Sequence, residues 1–254
     1  MSRVRALYDT WSPTFVACAG TTHQTVLLPV GPTPTATNLE LAKRAGVAAG
    51  EHWLDAGCGA GGPAGDIASA HNGLLVDAVT LSPVQQGLAS AELARRGLAD
   101  RVAVHCADYH DLPFADAAFD GAWLFESACY SPDPARLLAE LRRVVRRGGR
   151  VYVKDLFRKP RVASAAAQRD LLLLQELWAL PTPATLAQWQ KLARTAGFAV
   201  VRAAPLEGAT AYWYTGTMFE LGPAGLRRNA FGEHFAVNMP AVPVVWAELL
   251  LQAA

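Results

Sequence analysis

The run Leu54-Asp55-Ala56-Gly57-Cys58-Gly59-Ala60-Gly61-Gly62-Pro63 decides the fold. The apolar segment His52 to Asp55 enters it as a strand. A helix leaves it from about Pro63 to Ala70, with proline at the start, where its missing N–H costs nothing. Glycines between a strand and a helix let the backbone approach a ligand closely, and the first N–H groups of the helix face the same place. Spacing alone does not name the ligand, because Gly57, Gly59 and Gly62 also satisfy the dinucleotide pattern G-x-G-x-x-G.

Outward from that loop the alternation repeats. Leu74 to Leu81 reads as a strand, Pro83 to Arg96 as a helix closed by Gly97, and Val102 to Ala107 as the third strand. Phe119 to Phe125 is the fourth, followed by a helix from Ala135 to Val145 stopped by Gly148-Gly149, and Arg150 to Leu156 is the fifth. Two closing strands, Phe198 to Pro205 and Val244 to Gln252, complete a Rossmann-like, doubly wound, seven-stranded and mostly parallel α/β sheet. A single domain spanning 1–254 is expected, with a cofactor-binding core at 50–156 and an N-terminal helical lid at 1–45. Substrate-side insertions are expected at 157–183, helical and leucine-rich, and at 206–242.

Two features select S-adenosylmethionine over a nicotinamide nucleotide. Asp55, two residues before the first glycine, suits the ammonium of a methionine moiety and is badly placed for a pyrophosphate. At the end of the second strand, where a nicotinamide enzyme offers an acid to the ribose, stands Thr80. Asp77 has the nominal spacing, but it lies mid-strand and reads as a hydrogen-bonded structural carboxylate.

The stretch from His52 to Asp155 resembles class I methyltransferases of the sterol, tocopherol and prenyl diphosphate C-methyltransferase group. The glycine run carries the likeness, together with Val79-Thr80-Leu81-Ser82-Pro83-Val84-Gln85, Asp108, Leu112-Pro113-Phe114, Phe119-Asp120 and Phe125-Glu126-Ser127. The resemblance implies that Gly57, Gly59 and Gly61 cradle the cofactor beside Asp55, Cys58 and Thr80. It also implies that Leu81, Ser82 and Gln85 line the ribose side, and that Asp108 and Tyr109 meet the adenine next to Phe125. The ends of the chain, at 157–183 and 206–242, depart from the prenyl diphosphate enzymes.

Methyl transfer depends chiefly on positioning, and the acceptor decides which further groups are needed. An alkene acceptor generates a carbocation that must be shielded and then lose a proton, work suited to Glu126 just past the fourth strand. Tyr8, Trp11, Tyr130, Tyr212, Trp213, Tyr214 and Phe219 are candidates to wall an apolar pocket for a terpenoid. An oxygen or nitrogen acceptor would instead call on His23, His110 or His234 as base; Tyr8 and His23 fall in the lid and join Glu126 as the catalytic candidates.

C-methylation of an isoprenoid is therefore the leading expectation, with Mg2+ required only for a diphosphate acceptor held by Arg158, Lys159 and Arg161. The alternatives are O- or N-methylation of a polyketide, peptide or sugar, and cofactor binding without methyl transfer. No resident metal is expected. A net charge of +1 offers no footprint for nucleic acid, and no apolar run is long enough for a signal peptide or membrane span. Cys18, Cys58, Cys106 and Cys129 show no metal or redox spacing and read as reduced thiols; a cytoplasmic enzyme with a small-molecule acceptor is expected, with homo-oligomerisation as an option.

Overall fold

A computed structural model of the chain describes residues 2–27, 29–31, 33–207, 209–210 and 243–254. In chain order the elements are α1 (Arg3–Ala19), β1 (Val26–Leu27), α2 (Pro34–Ala45), β2 (His52–Ala56), α3 (Gly62–Ala70), β3 (Leu75–Thr80), α4 (Pro83–Arg95), β4 (Val102–Cys106) and β5 (Phe119–Phe125). After a single 3-10 turn, Ala128–Tyr130, come α5 (Pro134–Val144), β6 (Val145–Arg158), α6 (Ala165–Leu177), α7 (Leu186–Thr195), β7 (Phe198–Pro205), β8 (Ala209–Thr210) and β9 (Val244–Ala253). The main sheet runs β4-β3-β2-β5-β6-β9-β7, and only the β9 pairings with β6 and β7 are antiparallel. The seven-stranded, mostly parallel sheet expected from the sequence is the one observed.

Both faces of the sheet are covered, so its central strands are apolar on both sides. Along β2 and β5, Trp53 and Trp123 point to one face and stack with centroids 5.6 Å apart, while Leu54 and Leu124 enter the core on the other. Burial of Leu54 or Leu124 stabilises the fold by about 1.5–3 kcal/mol each. The strand order reverses between β2 and β5, which opens a crevice at their carboxyl ends, the usual ligand site of such sheets.

Helix starts follow local chemistry. Ser82, Asp133 and Thr185 each accept a hydrogen bond from the backbone N–H three residues on, at α4, α5 and α7, and Pro83 and Pro134 occupy the first helical positions. One boundary differs from expectation: α5 ends at Val144, short of the glycine pair, and the chain passes directly into β6. Val145 already pairs with Phe119, and the pairing shifts register before Gly121 meets Arg150. The glycines therefore serve the irregular start of β6, where a Cβ on Gly149 would sit 2.6 Å from Val145 and 2.7 Å from the Asp120 carbonyl.

Candidate active site

Two adjoining cavities lie at the carboxyl edge of the sheet. The first, of about 840 Å3, is floored by the loop after β2 and walled by the ends of β3 and β5 and by α1. Among its lining residues are Asp55, Gly57, Cys58, Gly59, Thr80, Leu81, Ser82, Gln85, Tyr109, Phe125, Glu126 and Tyr8, all anticipated from the sequence. Gly57 and Gly59 have φ of 100° and 55°, a backbone region natural to glycine, and the amides of Gly57 and Cys58 both donate to the Val79 carbonyl at 2.9 Å. That pins the loop from β2 to the end of β3.

Asp55 is buried against this loop, and its Oδ2 has no hydrogen-bond partner among the described residues. Burial pushes its carboxyl up to about 7, with the Trp123 side chain pulling the other way. An unsatisfied buried carboxylate on a cavity wall is a group waiting for a cation. The Thr80 hydroxyl donates to Gln85 Oε1 at 2.7 Å and accepts from the Ser82 amide at 3.2 Å, which fixes the β3–α4 turn. Ser82 Oγ in turn donates to Asp9 at 2.6 Å and so ties α1 to the cavity rim.

Several expected site residues lie elsewhere. Gly61 does not line the cavity; it caps α3 at φ 83°, and a Cβ there would meet Ala89 at 3.0 Å. Asp108 is also outside the lining, because its exposed carboxylate accepts from the amide and ring Nδ1 of His110 at 2.9 and 2.7 Å. The other ring nitrogen of His110 meets Ser131 at 2.7 Å, and His110 lines neither cavity. Trp11 packs against the cluster of Phe15, Leu174, Trp178 and Leu180 and lines neither cavity. Arg158 serves the carbonyls of Pro183 and Lys159, and neither Lys159 nor Arg161 lines a cavity. Tyr212, Trp213, Tyr214, Phe219 and His234 lie outside the described residues. Asp77 is the structural carboxylate expected, held by His52 and His105 at 2.8 and 2.5 Å.

The second cavity, of about 650 Å3, is mostly apolar, walled by Phe15, Leu156, Leu174, Trp178, Leu180 and Trp246. Tyr8, His23, Glu126 and Tyr130 line both cavities and mark where they meet. The Tyr8 hydroxyl donates to that of Tyr130 at 2.7 Å, and burial raises both phenols above their ordinary range, so both stay protonated.

Glu126, at φ 57°, is anchored more heavily than its sequence position suggests. Its Oε1 accepts from the Thr25 amide at 2.8 Å, from Thr25 Oγ1 at 2.5 Å and from the buried ammonium of Lys154. Lys154 also donates to Thr25 Oγ1 at 2.7 Å, the Thr25 carbonyl at 2.8 Å and Gln24 Oε1 at 3.3 Å. Burial draws the Lys154 ammonium below its ordinary pKa against the pull of Glu126. Next to it, Asp155 is raised to about 7 by burial and by the Glu126 charge. Sequence reasoning missed this cluster, as it missed Thr21 and Gln24 of the first cavity; its one local signal is the pair Lys154-Asp155 inside an apolar strand.

Residues 54–153 match a family described as a methyltransferase domain. The chain is 35% identical over 162 residues to the O-methyltransferase resE of Aspergillus sclerotiorum, covering 64% of this chain and 60% of that protein. It is 33% identical to the O-methyltransferase rstn1 of Aspergillus nomiae, over 64% of this chain and 70% of that one. It is also 40% identical to 24-methylenesterol C-methyltransferase 2 of Oryza sativa subsp. japonica, over 41% of this chain but 28% of the plant protein. The chain spans about half the length of the curated relatives it matches. In fold alone it matches the [4+2]-cyclase SpnF, with a TM-score of 0.81 at 24% identity over 99% of this chain and 96% of SpnF. A glycine loop at the switch point of this sheet, a methyltransferase domain over residues 54–153 and the sequence match to named methyltransferases place the chain in one family: it belongs to the class I S-adenosylmethionine-dependent methyltransferases.

Proposed function

We propose that the chain binds S-adenosylmethionine in the first cavity and transfers its methyl group to a small, largely apolar acceptor held in the second. The observation that carries this reading is the junction of a glycine-floored, polar-ended cavity with an apolar one, lined on both sides, among the described residues, by Tyr8, His23, Glu126 and Tyr130. Bound there, the cofactor supplies an electrophilic methyl on a sulfonium. The residues present fit it: Asp55 offers an unpartnered Oδ2 to an ammonium, and at Gly59 a Cβ position with nothing nearer than Gln85 Nε2 at 3.9 Å leaves the backbone room for close approach.

An isoprenoid acceptor suits the aromatic and leucine walls, while the diphosphate variant draws no support from Arg158, Lys159 or Arg161, which face other partners or stand clear of the cavity. Among the described residues no helix is long and apolar enough to cross a membrane. Four free cysteines fit work in the reducing cytoplasm.

Calorimetric titration with S-adenosylmethionine, S-adenosylhomocysteine and NAD, followed by labelled-methyl transfer to prenyl diphosphates, terpenoids, phenols and amines, tests the reading. Sulfonium binding with label in a product supports it. NAD binding in its place overturns it, and binding without transfer to any acceptor supports a non-methylating role.

Asp55→Asn separates binding from stability. The folded carboxyl titrates near 7 against an ordinary 3.8, so between those values the folded chain holds a proton that the unfolded chain has released, and stability falls as pH rises. Asn removes that penalty. The variant should therefore melt higher than the parent at pH 8, with little difference at pH 4, while S-adenosylhomocysteine binding weakens roughly 10- to 100-fold. Unchanged affinity would exclude Asp55 from the cofactor site.

A further inference from the structure

We propose that Trp178 sets the length of acceptor that the second cavity takes, its indole closing the end remote from the cofactor; this rests on the methyltransferase reading above. Trp178 lines the second cavity and not the first, whereas the end next to the cofactor is marked by the four residues that line both. A series of rings leads from that junction to Trp178. His23, at the junction, meets Phe15 edge-on with centroids 5.7 Å apart, and Phe15 in turn meets Trp178 at 6.2 Å. Phe15 is itself absent from the wall of the first cavity, so the series leads away from the cofactor. The end of α6 fixes the indole in place. Ala179, the next residue, adopts φ 53°, and the amides of Ala179 and Leu180 bond back to the carbonyls of Glu176 and Gln175 at 3.4 and 2.9 Å. Alanine is strained in that left-handed region, and the turn it makes is held by the burial of Trp178 and Leu180 on either side of it, both of which line the cavity.

The chemistry of this end selects an uncharged hydrocarbon tail. Among the described residues Glu126 is the one charged side chain lining the second cavity, and it belongs to the junction. Beyond the junction the Thr25 hydroxyl already donates to Glu126 at 2.5 Å, and the Cys129 thiol, kept protonated by burial, faces the Glu126 carbonyl at 3.8 Å. A charged tail would leave water there with no counter-charge to replace it, whereas a hydrocarbon tail is limited only by the space the close-packed wall leaves. Trp178 is the largest side chain that the end of α6 brings to that wall, beside Leu174 and Leu180, so it is the residue whose truncation gives a tail the most new room.

The test uses the full chain and a series of 4-alkylphenols, from methyl to decyl, titrated calorimetrically into protein saturated with S-adenosylhomocysteine. The phenol hydroxyl belongs at the polar junction, which leaves the alkyl tail to probe the other end. In the parent, affinity should rise roughly fourfold with each added methylene while the tail fits, and fall once it meets the indole. Trp178→Ala should move that break by several carbons towards longer tails. Trp178→Phe, which keeps an aromatic ring and guards against a folding defect in the alanine variant, should move it by less. No break in the parent, a break at the same length in parent and variants, a loss of affinity in Trp178→Ala that is uniform along the series, or no binding of any member overturns the proposal. Because S-adenosylhomocysteine is titrated first, failure of the cofactor reading registers separately.

Discussion

Lys154→Met should cost the protein about 3–5 kcal/mol, read from urea unfolding at pH 7, because it leaves the Glu126 carboxylate buried without its ion-pair partner. The Lys154 side chain is fully buried and that of Glu126 is 11% exposed, so water cannot substitute for the lost ammonium. The damage should be local as well as global. Lys154 holds the Thr25 carbonyl and hydroxyl and the Gln24 side chain, so hydrogen exchange at residues 22–27 should accelerate more than exchange in β2 or β5. That segment carries His23 and part of the first cavity's wall, and both ligand sites should weaken with it.

The double variant Lys154→Met, Glu126→Gln distinguishes the ion pair from simple packing. Removing both charges leaves no stranded ion, so the double variant should recover most of the stability lost by Lys154→Met. Glu126→Gln alone should show a particular pH dependence. A buried lysine whose folded pKa lies below its unfolded value binds fewer protons folded than unfolded, so stability rises with pH across that window. Losing Glu126 deepens the depression, and the deficit of Glu126→Gln should shrink between pH 7 and pH 10. A double variant as unstable as Lys154→Met would show that the lysine contributes packing and not charge pairing.

The contrast between what the chain discloses locally and what it hides is visible in this cluster. Strands β2, β3, β5, β7 and β9 lie where their apolar runs place them, and the loop at Gly57 is legible because positive φ demands a residue type that shows in the sequence. α7 is equally legible, since Thr185 and Gln188 spell a capping box, and it is a helix beyond the leucine-rich one expected at 157–183. The contacts of the N-terminal segment are another matter. Lys154 and Thr25 are 129 residues apart and Asp9 and Ser82 are 73 apart, and neither pairing leaves a periodicity or spacing to read. The resemblance puts Asp108 and Gly61 at the cofactor, and the structure shows a local partner for each, His110 for one and the start of α3 for the other.

The glycine loop gives the second large expected effect, and it separates two glycines that sequence alone treats alike. A Cβ on Gly57 would stand 2.3 Å from Ser127 Cβ and 2.7 Å from its Oγ, which donates to the Ala56 carbonyl at 2.6 Å and cannot swing away without losing that bond. With φ at 100° the backbone also opposes a side chain. Gly57→Ala should therefore lose about 2–4 kcal/mol of stability from overpacking and backbone strain together, and S-adenosylhomocysteine affinity should fall at least 100-fold as the loop shifts.

Gly59 has φ 55°, and a Cβ there finds nothing nearer than Gln85 Nε2 at 3.9 Å. Gly59→Ala should cost only about 1–2 kcal/mol, the ordinary penalty for alanine in the left-handed region. Its new methyl would nevertheless stand at the wall of the first cavity, so affinity should fall out of proportion to stability. Thermal unfolding and calorimetric titration of both variants measure the two effects side by side. If Gly59→Ala binds S-adenosylhomocysteine as the parent does, the ligand does not rest on this loop, and the first cavity is not where the cofactor lies.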